Sequence, residues 1–208
     1  MTQLSLFGDV SPITREEAIE LLTPFIGLDL RSIADRYGVT QPGETPTHTG
    51  WAGHTVEWML GRAPNNLQEP DFGSWELKVI AVDHHPQGYL SPRAPMSLTQ
   101  VQLRDLRDLP FHKSHLFSKV QHLLIPCRRY EGREELSSRL VKLCTYDLSG
   151  DIIERLQAEY EGIQWSIRES GMMGIKDVHT SLLGLQPSEG GKGWRFFARK
   201  SWVEEMIK

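Results

Sequence analysis

Apolar residues recur along this chain at two spacings, one typical of helices and one typical of strands. Recurrence every three or four residues predicts helices over residues 14–22, 30–37, 50–61, 111–122 and 150–170, with a last helix at the C-terminal end. The first of them opens on Thr14-x-x-Glu17, the pattern of a capping box. Alternating or continuous apolar runs predict strands over residues 76–82, 96–101, 123–126, 140–144, 182–185 and 194–197.

Residues 70–80 combine three charged side chains with an apolar run. In a strand, Glu76 and Lys78 share one face and their apolar neighbours point to the other. Asp71 precedes a Gly-Ser turn, so a hairpin would bring it back beside Glu76. Two carboxylates and an ammonium group at one strand end can hold a hard divalent ion beside an attacking water or a phosphate oxygen. An ordinary hairpin with charged residues on its solvent face fits the same pattern.

Two further charged residues lie in predicted helices. Glu57 falls in a largely apolar helix, so its carboxylate needs a partner, which a metal site, Lys78 or an arginine could supply. Lys119 falls on the side of its helix opposite the apolar stripe, where we expect it to be free to reach a phosphate.

The N-terminal pentapeptide Gln3-Leu4-Ser5-Leu6-Phe7 resembles the short motif by which bacterial replication and repair proteins dock on the DNA sliding clamp. Leu4, Leu6 and Phe7 would be the apolar anchors, and Gln3 would add polar specificity. A first strand or a flap packed on the body would also fit these residues. We expect residues 1–10 to form a flexible peptide and residues 11–208 a single domain.

Composition is that of a soluble globular protein, with 39% hydrophobic and 24% charged residues. No apolar run approaches the ~20 residues that span a bilayer, and no signal peptide is evident, so we expect a cytoplasmic protein without membrane contact. The net charge of −4 does not indicate a nucleic-acid binder. Basic residues nevertheless cluster at 113–142 and 192–200, after the acidic residues 1–80, and two such segments beside an acidic centre would suit a polyanionic ligand. Surface lysines and arginines without a partner would look the same.

Several of these segments together resemble one known family. The matching segments are Gly50-Trp51-x-Gly53-x-x-x-Glu57-x-x-Leu60-Gly61, Asp71-Phe72, Glu76-Leu77-Lys78, Ser114-His115-x-x-x-Lys119 and Ile125-Pro126. Their order and approximate spacing resemble the MutH mismatch-repair endonucleases and the related GATC-cutting type II restriction enzymes of the PD-(D/E)xK superfamily. The resemblance implies an α/β, restriction-endonuclease-like fold, with a mixed sheet flanked by helices and two arms around a DNA-binding cleft.

The resemblance also assigns roles to individual residues. It implies an acidic site of Glu57, Asp71 and Glu76, in which Asp71 and Glu76 bind Mg²⁺. It implies that Lys78 positions or activates the attacking water and that Lys119 is a second active-site lysine. The Mg²⁺ ion would polarise the scissile phosphate, and the lysines would offset the charge that develops on it.

This chain departs from the family pattern at three places. The spacing from Asp71 to Glu76 is two residues shorter, which requires a tighter turn. The family's Arg-Pro-Lys reading loop is replaced by Leu185-Gln186-Pro187-Ser188, and Phe197 lacks the tyrosine hydroxyl linked to sensing adenine methylation. The DNA-binding residues carried over are Gln186, Phe197, Arg199 and Lys200. The family's GATC and methylation specificity is not expected to carry over with these side chains.

The first hypothesis is therefore a Mg²⁺-dependent DNA endonuclease that nicks one strand during mismatch repair. Its partners would be double-stranded DNA, the sliding clamp and mismatch-repair proteins, and it would be associated with the nucleoid. A type II restriction endonuclease that cuts both strands at a short site is the alternative within the same chemistry. A non-catalytic DNA-binding protein is the alternative from another class.

Overall fold

A computed structural model describes residues 13–47, 50–62, 70–171, 178–188 and 193–208. The N-terminal peptide with Gln3, Leu4, Leu6 and Phe7 lies outside the described residues, so its docking role stays a prediction. No helix in the described part of the chain is long and apolar enough to cross a membrane.

Seven α-helices are described, with the following bounds: α1 Arg15–Leu22, α2 Leu30–Arg36, α3 Trp51–Met59, α4 Leu103–Asp108, α5 His115–Val120, α6 Asp151–Ser170 and α7 Lys200–Met206. Short 3₁₀ helices cover Thr23–Phe25 and Phe111–Lys113. The capping box predicted at Thr14 is present: its hydroxyl accepts the Glu17 N–H, and the Glu17 carboxylate accepts the Thr14 N–H at 2.8 Å.

Eight strands form two sheets in the described residues: β1 Glu76–Leu77, β2 Ile80–His84, β3 Leu90–Pro92, β4 Met96–Val101, β5 His122–Arg129, β6 Leu140–Asp147, β7 Leu183–Pro187 and β8 Trp194–Ala198. The first sheet is mixed, because β5 runs parallel to β1 and β2 and antiparallel to β6, while β3 pairs antiparallel with β2. The second sheet is antiparallel, in the order β4-β8-β7.

The predicted strand over residues 76–82 is interrupted at Lys78 and Val79. Its two halves pair with β5 in one continuous register, with Glu76 opposite Leu123 and Ile80 opposite Cys127. The Lys78 N–H still donates to the Leu124 carbonyl at 3.0 Å. The interruption is therefore a local break in a single strand rather than a change of sheet.

Two hydrophobic cores lie on either side of this strand. The first joins the second sheet and much of β5 to α6 and α7, and the second joins α1, α2 and α3 to β1 and to the turn that precedes it. This arrangement confirms the predicted α/β class, a mixed sheet flanked by helices.

One local prediction was wrong, and two short elements were not predicted. The helix predicted over residues 111–122 is divided, because Ser114 has an extended backbone and its hydroxyl caps a new helix by accepting the Phe117 N–H at 3.1 Å. Strand β3 and helix α4 were not predicted. β3 has only three residues, and in the six-residue α4 only Leu106 is buried, so neither carries a periodic pattern long enough to detect.

Candidate active site

The turn before β1 is held together by its own aromatic side chains. The rings of Phe72 and Trp75 are both buried and stack at 4.1 Å, with an angle of 3° between their planes. The Phe72 N–H donates to the Trp75 carbonyl at 3.1 Å, and Gly73 takes the positive φ of 75° that this tight turn requires. The turn thereby brings the Asp71 N–H to 3.0 Å from the Glu76 carboxylate. The predicted return of Asp71 to Glu76 is found, through a turn rather than a hairpin.

Glu76 lies at the centre of the cluster, and its side chain is only 1% exposed. Lys78 donates to Oε1 of Glu76 at 2.5 Å, as expected for two residues on one strand face. Lys119 donates to Oε1 at 3.0 Å and to Oε2 at 3.2 Å, and its ammonium also lies 3.9 Å from Asp71 Oδ1. Both carboxylate oxygens of Glu76 are therefore bonded to cations.

The expected free position of Lys119 was wrong. The residue is 7% exposed and lies on the inner side of α5, where the Glu76 carboxylate takes up its charge. Periodicity places a lysine away from the apolar stripe because it scores hydrophobicity alone, whereas a buried carboxylate makes the inner side favourable for an ammonium group. Lys119 is in the site, as the family resemblance implied.

The remaining carboxylates are crowded and poorly solvated. Burial raises the pKa of Glu57 to about 7, with a further contribution from the negative charge of Asp71. The Oε2 atom of Glu57 is buried and has no hydrogen-bond partner among the described residues. Burial also raises the pKa of Asp71, and repulsion by Glu76 adds to the shift, while Lys78, Lys119 and Arg62 oppose it. The three carboxylates thus lie near three cations, Lys78, Lys119 and Arg62. The raised pKa values of Glu57 and Asp71 mean that these cations do not fully offset burial and mutual repulsion, which favours a bound metal cation.

These donors suit a divalent metal ion with oxygen ligands. In the described parts of the chain, no group of three or more His, Cys, Asp or Glu side chains is arranged to hold a metal by itself. Magnesium in phosphate-processing sites is commonly bound by one or two carboxylates, with waters and substrate phosphate oxygens as the other ligands. Asp71 and Glu76 would be those two carboxylates, and the unpartnered Glu57 oxygen belongs to a residue that lines the same cleft.

All five residues predicted to be catalytic line one cleft of about 880 Å³. The cleft lies between the two hydrophobic cores, since α3 of the second core and β4 of the first both contribute to its lining. The cleft is open to solvent, and its use as a DNA-binding groove stays a prediction. Contacts between segments far apart in the sequence bring these five residues together, although the sequence pattern had already singled out each of them.

The predicted DNA-binding residues lie on and beside the second sheet. Gln186 is in β7 and Phe197 in β8, and both are half-buried. Arg199 immediately precedes α7, where its guanidinium donates to Thr180 Oγ1 and to the Leu183 carbonyl at 2.8 Å. Lys200 is the exposed first residue of α7. Arg199 thus has a structural task in the described chain, besides the DNA contact predicted for it.

Other cleft residues were missed by the sequence reasoning. Ser97 and Gln100 of β4 line the cleft, and so do Arg128 and Glu135. Arg128 donates to Glu135 at 2.7 Å and lies over the ring of Trp51, whose Nε1 donates to the other Glu135 oxygen at 2.8 Å. The polar residues that interrupt the apolar pattern of β4 could have identified Ser97 and Gln100 as cleft residues. The Arg128–Glu135–Trp51 contact joins three distant segments and had no local signal.

The fold and the cluster together resemble one class of protein. Two carboxylates and a lysine at a strand start of a mixed sheet, in the Asp, Glu-x-Lys order, are similar to the arrangement of the PD-(D/E)xK nucleases. The family model for "DNA mismatch repair enzyme MutH" matches residues 60–157, which contain Asp71, Glu76, Lys78 and Lys119. Glu57 lies just before that range.

Whole-sequence comparison finds relatives that carry the same family name. The DNA mismatch repair protein MutH of Vibrio cholerae strain O395 is 26% identical over 185 residues, which cover 85% of this chain and 80% of that protein. MutH of Vibrio parahaemolyticus is 27% identical over 129 residues, which cover 60% of this chain and 54% of that protein. These matches confirm the predicted resemblance to the MutH family.

A solved structure, a complex of the restriction endonuclease MvaI with cognate DNA, aligns with 94% of this chain and 98% of its own. The TM-score is 0.41 and the sequence identity is 10%.

Proposed function

We propose that this protein is a Mg²⁺-dependent DNA endonuclease of the MutH type, which nicks one strand of double-stranded DNA in mismatch repair. The observation that carries the proposal is the buried Glu76 carboxylate, which is bonded to Lys78, to Lys119 and to the Asp71 backbone in an open cleft. An ordinary hairpin with charged residues on its solvent face would leave these side chains exposed. Burying them together costs stability, and such costs are typical of functional sites.

The cluster divides the chemical tasks among its members. Asp71 and Glu76 would hold Mg²⁺, which when bound polarises the scissile phosphate and lowers the pKa of a coordinated water. Lys78, whose side chain is 20% exposed, is the more accessible of the two lysines and would orient the attacking water. The more buried Lys119 would hold the Glu76 carboxylate in position and offset negative charge that develops on the phosphate. Glu57 would complete the acidic wall.

The repair role rests on the sequence similarity to MutH and on the N-terminal pentapeptide. Residues 1–10 would act as a peptide that docks on the sliding clamp, and residues 11–208 as one endonuclease domain. Its partners would be the clamp and mismatch-repair proteins, and its location would be the nucleoid within the cytoplasm.

Cleavage of supercoiled plasmid in Mg²⁺ tests the nuclease assignment. We expect wild-type protein to cleave, with Glu76→Gln and Lys78→Met each at least about 100-fold slower, as is common when a metal ligand or charge-stabilising group is removed. Glu154→Gln, on the exposed face of α6, is the matched control and should cleave like wild type. Absence of cleavage by the wild type in Mg²⁺ or Mn²⁺, with or without mismatch-repair proteins, would support a non-catalytic DNA-binding protein.

The form of the product separates repair from restriction. Open circles that persist as the end product indicate nicking of one strand. Linear fragments with fixed ends would instead identify a restriction endonuclease and overturn the repair assignment.

Clamp docking is tested separately on the full chain. We expect the double variant Leu6→Ala/Phe7→Ala to lose binding to a purified bacterial sliding clamp while keeping plasmid cleavage. Clamp binding equal to that of the wild type would exclude this motif as the docking element.

A further inference from the structure

The second sheet has an outer face made of two rows of three residues. One face of the sheet packs into the first core through residues such as Met96, Phe196 and Leu183. Strand register places the residues of the opposite face side by side. These rows are Ser97–Phe197–Gly184 and Gln100–Arg195–Gln186. The face contains one positive charge and two amides and no acidic residue, so it is chemically compatible with DNA.

A β-bulge aligns the first strand with this face. Ser97 and Gln100 are three residues apart, so regular alternation would put them on opposite faces. The register shifts between Ser97 and Thr99, which inserts Leu98 as an extra residue. Both Ser97 and Gln100 then lie on the outer face, and both line the catalytic cleft. The outer face is thus continuous with the cleft along β4.

Arg195 occupies the middle of the polar row. Its Nε atom is buried and has no hydrogen-bond partner in the described part of the chain. The hydroxyl of Ser188, at the end of the neighbouring β7, is also buried and unpartnered among the described residues. Buried polar atoms are almost always hydrogen-bonded in native structures, and a ligand on the outer face would supply partners for these two atoms, which lie near the same hairpin end.

Phe197 gives the face a flat apolar area beside Arg195. Gly184 is directly opposite Phe197, and a Cβ atom built on Gly184 would overlap the phenyl ring. The ring therefore lies across the glycine backbone instead of standing away from the sheet. A ring held in this way keeps the face low, so that a groove of DNA can approach the neighbouring polar row.

We propose that Arg195 reads a guanine in the major groove of the DNA, with Gln100 and Gln186 as the flanking polar contacts. An arginine guanidinium can donate two hydrogen bonds to O6 and N7 of guanine, which is the commonest specific base contact. β-Ribbons and sheets are known to enter DNA grooves with side chains of one face. The family resemblance assigned base reading to Gln186 and Phe197 but gave no role to Arg195 or Gln100. The inference rests on the proposed nuclease function.

Selection from a randomised duplex library, in Ca²⁺ to prevent cleavage, tests this assignment with full-length protein. We expect wild-type protein to select a short motif containing a G·C pair. Arg195→Ala should lose preference at that one pair by roughly 5- to 100-fold, the range expected for one bidentate contact, while the other positions remain selected. Arg195→Gln should shift the same position toward A·T, because glutamine pairs with adenine. A gained preference cannot arise from a misfolded protein.

Arg36→Ala is the matched control, since Arg36 is an exposed arginine at the end of α2 in the other core. It should leave the motif unchanged. A motif retained in full by both Arg195 variants would overturn the base-reading role, and so would a wild type that binds duplexes with no base preference. Plasmid cleavage by wild-type protein, measured in parallel, tests the nuclease function independently. If wild-type protein cleaves and both Arg195 variants select the unaltered motif, only the base-reading role is rejected. If wild-type protein neither cleaves nor binds DNA, both the base-reading role and the nuclease function are rejected.

Discussion

Lys119 donates hydrogen bonds to both carboxylate oxygens of Glu76, at 3.0 and 3.2 Å, although 43 residues separate the two in sequence. The pair joins α5 to the start of β1 and is nearly excluded from solvent, with side chains 9% and 1% exposed. Because little water reaches either group, each charge depends on the other for its stabilisation. The cluster proposed to be catalytic is consequently also a determinant of stability.

Lys119→Met tests this dependence. Removing Lys119 takes the cation away from Oε2 of Glu76 and leaves Lys78 as the only cation bonded to this buried carboxylate, so we expect the free energy of unfolding to fall by about 3 kcal/mol. Urea denaturation at pH 7.5 in EDTA measures it. The double variant Glu76→Gln/Lys119→Met should recover part of that loss, because the buried charge of Glu76 is removed together with that of Lys119, and the Lys78 that loses its partner is 20% exposed. Equal losses in the single and double variants would show that the two residues are not coupled.

Glu57→Gln should alter the pH dependence of stability. The folded-state pKa of Glu57 is raised to about 7 by burial, so its ionisation destabilises the fold progressively as pH rises from about 4.5 to 7. A neutral glutamine removes that cost. In EDTA we expect the variant to exceed wild type by about 1–2 kcal/mol at pH 8, after discounting for partial solvent screening, and to match it near pH 4.5.

Thermal unfolding across this pH range measures the effect, with the exposed Glu20→Gln on α1 as the control. Adding Mg²⁺ at pH 8 should stabilise wild type more than Glu57→Gln, since a bound cation offsets the same charge. An advantage for the variant that is constant with pH would contradict the titration of Glu57.

Gly184→Ala should destabilise the second sheet. The added methyl group would overlap the ring of Phe197, and overpacking of this kind costs about 1–3 kcal/mol. Introducing Phe197→Ala into the same chain should relieve the overlap. Gly53→Ala is the control, because a methyl group added there would meet no atom within 4 Å and alanine favours a helix by about 0.5–1 kcal/mol. Opposite signs for the two substitutions in chemical denaturation are expected.

Glu135→Ala should loosen the cleft wall that carries α3. The Glu135 carboxylate accepts from Arg128 at 2.7 Å and from Trp51 Nε1 at 2.8 Å, and its backbone has a positive φ of 48°. Losing a charged acceptor to a buried arginine costs about 2–3 kcal/mol. Glu134→Ala, the exposed neighbour, should cost less than about 0.5 kcal/mol. Equal unfolding midpoints for the two variants would exclude this network as a stabilising contact.

Local patterns in the sequence were sufficient for several elements. The capping box pairs the N–H groups of Thr14 and Glu17 with each other's side chains, within four residues. The apolar stripe of α6 is long enough to predict a helix without reference to neighbouring elements. The spacing of Glu76 and Lys78 likewise places both side chains in contact, because a strand alternates over two residues. These features depend on interactions within a few residues, which periodicity and capping rules describe.

The sequence by itself determined most of the elements and, through its resemblance to one family, the identity of the residues proposed to be catalytic. Only the tertiary structure decided that Lys119 is buried against Glu76 and that Arg195 lies between Gln100 and Gln186 on one face. Both relationships depend on which strands pair, in which register, and on a bulge at Leu98. Register and bulges are set by contacts between distant segments, and local periodicity carries no information about them.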